Sequence, residues 1–361
     1  MSRASRSHAA EDPAATLLVG CGAPQSRKAH RVSPDLRRGN TQDAEQAKRR
    51  RRGEADNPIK GERFSIITWN IDGLRAFLAD AARKSALEDV LRAHPSMLCL
   101  LEHKLQPLGT SSEEARACLE KLADSFGYDA TWTYSPRAGL DGLVVLVLRT
   151  TDLIAPPSEP RLASESCGHE RRLLHVELHD LHVLLVYAPN SGRPGRLAFR
   201  IQQWEPSMRE LIRRLLSSAK PVLLQGDLNV AHVRALDAWG STLAEFGGGK
   251  ASGRTPEEAA AFDALLAECG LVDGFRAFHP TDKSATCWAQ KRTGQPHQRE
   301  HWKRYDYAVV SKTLVANVDC DEMIKPGLRL VGVHHLDGTF EGGRPDHVPV
   351  ESVFERLGSE S

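Results

Sequence analysis

Gln225-Gly226-Asp227-Leu228-Asn229-Val230-Ala231-His232 follows the short apolar run Pro221-Val222-Leu223-Leu224, and the reading of that junction decides the fold. The run reads as a buried strand. The chain is expected to turn at Gly226 and to present a carboxylate and a carboxamide two residues apart, which on an extended segment share one face. Asp227 can take a proton or hold a metal, and Asn229 can donate to an anionic oxygen. The pair suits attack of water on a phosphate. It equally suits an ordinary Asp/Asn turn after a strand.

Working outward, an apolar run capped by a polar group recurs. Phe64–Trp69 ends in Asn70-Ile71-Asp72-Gly73, and Met97–Leu101 ends at Glu102. A carboxylate there is costly to bury alone, so it lies at a solvated rim or binds a cation. His182–Tyr187 opens into Ala188-Pro189-Asn190-Ser191-Gly192; late strands carry Asp306 and lead from Asp346-His347 into Val348–Phe354. Further strands are expected over 130–134, 143–148 and 173–177, and helical spacing covers 74–94, 112–126 and 196–217. Thr255-Pro256-Glu257-Glu258 carries a complete helix-start signature, ahead of a helix ending near Gly270. Strands and helices intermixed without a repeat imply a layered α/β fold whose strand ends gather on one rim. Asn70, Glu102, Tyr187 with Asn190, Asp227 with Asn229, Asp306, and Asp346 with His347 therefore read as a single site.

Composition sets limits. The chain has 361 residues, enough for one large domain and a tail, and no apolar run approaches a membrane span. Seven cysteines without a C-x-x-C pair favour a reduced intracellular setting over a disulfide scaffold or zinc site. Charge is uneven: residues 1–60 hold 13 Lys/Arg against 7 Asp/Glu, leaving 35 against 40 for the rest. A globular part without a positive field needs a local basic groove or metal ions to meet nucleic acid. Residues 1–61 read as a disordered basic extension, residues 62–356 as the folded domain and 357–361 as a short tail. Lys48-Arg49-Arg50-Arg51-Arg52 is a cluster of the nuclear-import type, so a nuclear location is expected, with organelle import through the extension as the alternative.

Together, Thr68–Arg75, Leu98–Lys104, Tyr187–Gly192, Gly226–His232, Thr255–Glu258, Arg304–Tyr307 and Asp346–Pro349 resemble, in order, the motifs of the exonuclease III-type apurinic/apyrimidinic endonucleases, a branch of the endonuclease/exonuclease/phosphatase superfamily. The resemblance implies a four-layer α/β sandwich, two central, mostly antiparallel sheets flanked by helices. It implies a monomer acting on duplex DNA with an abasic site, cutting the phosphodiester on its 5′ side with Mg²⁺, for which Mn²⁺ could substitute. The resemblance also leaves room for action of the 3′–5′ exonuclease or 3′-phosphodiesterase kind.

By position, Glu102 would be the main metal ligand, with Asp72 and Asp346 nearby and Asn70 orienting them; Asp227, Asn229 and His347 complete the metal-facing set. Asp227 would activate water, Asn229 would hold a phosphate oxygen, and Tyr187 and Asn190 would contact the phosphate. His347 would donate to a non-bridging oxygen, with Asp306 fixing its ring. Arg193, Trp288 and Arg304 complete the substrate-binding set.

Some positions depart from the pattern. Leu101 replaces the usual Gln before the metal Glu, His103 the usual Thr after it, and Pro345 the usual Ser before Asp346. Leu140 and Asp141 replace a Tyr and a Ser, removing a DNA-facing aromatic and adding a negative charge. Cys287 precedes Trp288 where an aromatic is common, and an insertion-like run, 291–303, precedes Arg304. A tyrosyl-DNA phosphodiesterase-like relative is the enzymatic alternative. A non-catalytic nucleic-acid-binding scaffold is the alternative of another class, opposed by the cost of clustered carboxylates kept without a role.

Overall fold

The computed structural model describes residues 62–168, 171–238, 252–288, 302–315, 327–336 and 347–357. The N-terminal extension with its basic cluster, Asp346, and most of the 291–303 run lie outside them, as does the tail beyond Leu357. In chain order the structure runs β1 (Arg63–Asn70), α1 (Leu74–Ala79), α2 (Ala81–Arg92), β2 (Met97–Leu101), α3 (Thr110–Ser125), β3 (Tyr128–Trp132), β4 (Leu143–Leu148), β5 (Leu153–Ser158), β6 (Leu173–Leu178), β7 (His182–Tyr187), α4 (Glu205–Leu216), β8 (Val222–Asp227), α5 (Pro256–Glu268), β9 (Leu271–Asp273), α6 (Gly274–Phe278), β10 (Cys287–Trp288), β11 (Trp302–Lys303), β12 (Asp306–Ser311), β13 (Leu328–His335) and β14 (Val350–Arg356). Among these described residues, no helix is long and apolar enough to cross a membrane.

Two six-stranded sheets form, ordered β13-β14-β1-β2-β4-β3 and β5-β6-β7-β8-β12-β9. Each has one parallel pair, β1 with β2 and β7 with β8, and is otherwise antiparallel. A parallel pair needs a crossover. α1 and α2 supply it in the first sheet, and the stretch Arg196–Leu216 in the second. Both parallel pairs thus deliver two strand ends to the same edge.

The apolar runs are buried on both faces, and their alternation sorts three cores. Ile66, Cys99, Leu101, Val145, Val183, Leu185, Leu223, Ala308 and Val310 lie between the sheets. Ile67, Trp69, Leu98, Leu100 and Val144 pack outward with Leu87, Leu91 and Leu119 of α2 and α3. Leu184, Val186, Leu224 and Val309 pack outward with Trp204, Leu211, Phe262 and Leu265. The expected helix–sheet–sheet–helix sandwich is the result.

Local differences have local causes. The 74–94 helix breaks at Asp80, whose side chain accepts from the backbone of Ala82 and Arg83 and restarts the helix as α2. The 196–217 helix widens into a π turn over Arg200–Trp204, ending two residues ahead of Pro206, whose ring would crowd the carbonyl four residues back. β5, a sheet edge, was hidden by Pro156 and Pro157, which edges tolerate. The capping box at Thr255 and Glu258 forms as read. Gly226 does not turn the chain: β8 runs through it. Its φ of 143° lies in a region side chains avoid, and a Cβ would sit 2.0 Å from the Val186 carbonyl of β7.

Gln225 ties the sheets together. Fully buried in β8, its Nε2 donates to the Ile66 and Val350 carbonyls of the facing sheet, at 3.0 and 2.9 Å, and its Oε1 accepts from Ser352. Gln225→Leu leaves these groups unsatisfied in the core and is expected to lower unfolding free energy by about 3 kcal/mol, measured by urea denaturation.

Candidate active site

The parity that builds the central core also builds the site. Asn70 continues the inward set of Ile66, Tyr187 that of Val183 and Leu185, Asp227 that of Leu223 and Gln225, and Asp306 that of Ala308 and Val310. All four side chains point between the sheets at one rim. Asp227 pairs across β8 and β12 with Asp306, and across β8 and β7 with Tyr187.

Asn70 is the hub. Its Nδ2 donates to Glu102 Oε1 at 2.9 Å and to Asp227 Oδ2 at 3.1 Å, while its Oδ1 accepts from the Asp72 backbone at 3.1 Å. Asp227 Oδ1 accepts the Asn229 backbone N–H at 2.8 Å. His347 gives its Nδ1 to Asp306 Oδ2 at 2.8 Å, and its Nε2 lies 3.9 Å from Asp227 Oδ2. Trp69 Nε1 holds the His347 carbonyl at 3.3 Å, and Thr286 Oγ1 accepts the backbone N–H of Tyr305 and of Asp306.

Burial and the facing Asp306 push the Asp227 carboxyl up to about 7, partly opposed by His347. Burial works against the His347 imidazolium, yet the Asp306 carboxylate holds it protonated well above the ordinary histidine range. Asp306 fixes the ring through Nδ1, and the ring's other side-chain hydrogen bond is to Cys287.

Ligand atoms of Asp227, Asp306 and His347 lie within 4.8 Å of one another. Asp306 Oδ1 is buried without a hydrogen-bond partner among the described residues. Beside them, Lys104 Nζ meets Glu102 Oε2 at 3.1 Å and also pairs with Asp72. An ammonium bridging two carboxylates, next to an orphaned carboxylate oxygen and an amide, marks an oxygen-rich set suited to a hard divalent cation. Glu102, Asp72, Asn70 and Asp227 are therefore placed to hold one.

Asn229 stands beyond the strand, in a left-handed conformation with φ 49°. The extended i, i+2 geometry gives way to a turn, and the backbone bond to Asp227 does the coupling. Asn229 Nδ2 donates to the Ala188 carbonyl and its Oδ1 accepts from Asn190, both at 3.0 Å. Asn190 also accepts from Gly192 N and Ser252 Oγ, tying the Tyr187 loop to the Asp227 loop. Tyr187 is buried beside Glu102, and burial first, then that carboxylate, keeps its hydroxyl protonated.

Two supports escaped the sequence reading. Arg200, buried at the π turn, donates to the carbonyls of Leu228 and Asn229 and pairs with Glu205 and Glu258. The Glu of the capping box was its one visible signal. Arg172 stacks 4.8 Å from the Tyr187 ring centre and pairs with Asp141 at 2.7 Å. Asp141 is thus a buried, neutralised partner and adds no negative charge to a DNA-facing surface.

Arg304 does not join the substrate-binding set. It has no exposure, bonds Asp237 through Nε at 2.8 Å, reaches Asp273, and lies over the Tyr307 ring at 4.2 Å. It is a core cation and cannot touch substrate. Arg193 is exposed on the loop past Asn190. Of Trp288 only the backbone, in β10, is described, and Asp346 lies outside the described residues. His103 is buried, accepting from Leu105 N and bonding the Thr133 carbonyl; burial lowers its pKa to about 4.

Residues 67–329 match the Endonuclease/Exonuclease/phosphatase family. An exodeoxyribonuclease of Streptococcus pneumoniae is 32% identical over 275 residues, covering 74% of this chain and 96% of the relative. The DNA repair nuclease APEX1 of Danio rerio is 31% identical over 271 residues, covering 73% and 77%. The crystal structure of an AP endonuclease from Leishmania major superposes with a TM-score of 0.63 at 26% identity, covering 84% of this chain and 90% of that one.

Arg304→Met strands Asp237 and Asp273 in the core and is expected to cost about 3–5 kcal/mol in chemical denaturation; a substrate contact would instead weaken DNA binding at unchanged stability. Asp227 has a folded pKa of about 7 against an ordinary 3.8. The stability linked to its proton is therefore complete below about pH 4 and lost as pH rises through about 7. His347 has the same sign in a higher window and does not offset this. In chelator, the melting temperature is expected to fall across that interval, and Asp227→Asn to flatten the fall.

Proposed function

The chain belongs to the endonuclease/exonuclease/phosphatase family, and from that premise we propose that it is a Mg²⁺-dependent DNA-repair nuclease that hydrolyses the phosphodiester on the 5′ side of an abasic site. The observation carrying this reading is the convergence of Asn70, Glu102, Asp227, Asp306 and His347 on one rim, with an unsatisfied carboxylate oxygen among them. Relatives named DNA-(apurinic or apyrimidinic site) endonuclease and exodeoxyribonuclease support the substrate class.

Glu102 and Asp72 would hold the cation, with Asn70 fixing the Glu102 carboxylate. Bound there, Mg²⁺ would neutralise charge developing on the phosphoryl oxygens. Asp227, with a proton affinity near neutrality, takes the proton of the attacking water. Asn70 and the Asn229 backbone aim its two oxygens. His347, an imidazolium, donates from Nε2 to a non-bridging oxygen, its ring held in that orientation by Asp306. Asn229 uses one amide proton on Ala188 and turns the other to the phosphate. Tyr187 contributes a hydroxyl that stays protonated.

A duplex with one tetrahydrofuran abasic analogue is expected to be nicked on the 5′ side in Mg²⁺ and left intact in chelator. Glu102→Ala and Asp227→Ala should each slow single-turnover nicking by about a thousandfold. Binding without nicking would leave a scaffold. Release of a 5′-phosphotyrosyl end with no furan nicking would move the chain to the tyrosyl-phosphodiesterase branch.

A further inference from the structure

A second lysine stands at the site without a role in hydrolysis. Lys303 in β11 lies directly opposite Cys287 in β10, and Cys287 bridges on its other side to His347. Residues directly opposite each other across strands project from the same face. Lys303, Cys287 and His347 thus form a row, each about 5 Å from the next. The His347 ring meets Asp306 and Asp227, so the row faces the site.

The wall beside this row is small and apolar. Ala231, Cys287 and Tyr305 form a buried cluster against which Ala238 packs. Lys303 Nζ lies 5.1 Å from the Tyr305 ring centre and has no carboxylate partner among the described residues. Burial first, then the Arg254 charge, pushes its amine pKa down against the opposing pull of Cys287 and Asp227, raising the share of free amine. Lys104 is the contrast: it pairs with Glu102 and Asp72, and its pKa lies above the ordinary value, burial being outweighed by those carboxylates.

We propose that Lys303 forms an imine with the C1′ aldehyde of a ring-opened abasic sugar and gives the chain a lyase activity beside hydrolysis. This rests on the abasic-DNA reading of the site. The Nζ lone pair attacks C1′, and the carbinolamine loses one water to give the protonated imine. That imine acidifies C2′, whose proton passes to solvent. The electron pair forms the C2′–C3′ double bond, and the 3′-phosphate departs with the C–O bonding pair. Water then hydrolyses the unsaturated imine, returning the free lysine and an unsaturated aldehyde. No oxidant, reductant or metal enters the balance.

The full chain would be mixed in chelator with a duplex carrying a natural, aldehyde-bearing abasic site, and cyanoborohydride added to reduce any imine. One covalent protein–DNA adduct is expected, mapped to Lys303 by peptide mass spectrometry on the unmutated protein. Lys303→Arg keeps the charge over Tyr305 without an imine-forming amine, and should lower the ratio of adduct to furan nicking about tenfold or more. The furan analogue has no aldehyde, so its nicking in Mg²⁺ reports hydrolysis alone. No adduct alongside furan nicking, or an adduct on another lysine, overturns the lyase and leaves the hydrolase standing. An adduct on Lys303 without furan nicking upholds the imine on which the lyase depends and removes the hydrolase.

Discussion

Asp227 and Asp306 face each other across neighbouring strands, pointing the same way, where water scarcely reaches. Like charges so placed repel, and burial strips them of solvent. The structure answers with an imidazolium and with two donors on Asp227, the Asn70 amide and the Asn229 backbone. The answer is incomplete, because Asp306 Oδ1 has no hydrogen-bond partner among the described residues. A protein that had only to fold would not keep this arrangement. It is the kind of local conflict that persists where a site needs proton affinity near neutrality and a place for positive charge. Trp69, Thr286 and Arg200 hold the backbone around it so that it cannot relax by moving apart.

Topology explains why the conflict falls at this rim. The two sheets share one strand pattern, a central parallel pair flanked on each side by two antiparallel strands. Each parallel pair sends both strand ends to the same edge, Asn70 beside Leu101 and Tyr187 beside Asp227. Stacked face to face, the sheets bring four ends together, and inward parity aims the last side chain of each strand between them, Leu101 being the one apolar member. Gln225 fixes the stacking two residues below Asp227. A slip of one residue there would turn Asp227 out of the site along with every inward side chain of β8.

What could be read from the sequence follows from this geometry. Strands buried on both faces appear as uninterrupted apolar runs, so β1, β2, β4, β7 and β8 were visible, and a polar residue at the end of such a run was conspicuous. Arg304 was misread because its partners, Asp237 and Asp273, come from distant segments, and an arginine after a charged run looks like a surface cation. Asn229 was given the right neighbour for the wrong reason, since only the fold reveals that the chain leaves the strand at Asp227. β13 alternates well enough to have been read, whereas the three-residue β9 and the proline-bearing β5 depend on neighbours for their identity.

The altered positions divide by what they touch. Leu101, standing in place of a polar residue, is fully buried between the sheets, and Glu102 stays oriented because Asn70 and Lys104 hold its two oxygens from elsewhere. His103 is neutral, locked between the Leu105 amide and the Thr133 carbonyl, and Gly142 leaves room for its ring, since a Cβ there would come within 2.5 Å. Asp141 brings its own counter-ion in Arg172, which also backs the Tyr187 ring. Each of these changes is absorbed without disturbing the groups that would act on a phosphate. Cys287 differs. It lies in the row joining His347 to Lys303, where Ala231 and Tyr305 pack against it and the neighbouring amine makes no salt bridge among the described residues. The carboxylate side of the site is over-determined by hydrogen bonds, and the Cys287–Lys303 wall is not. Changes in chemistry would therefore arise at the wall rather than at the carboxylates.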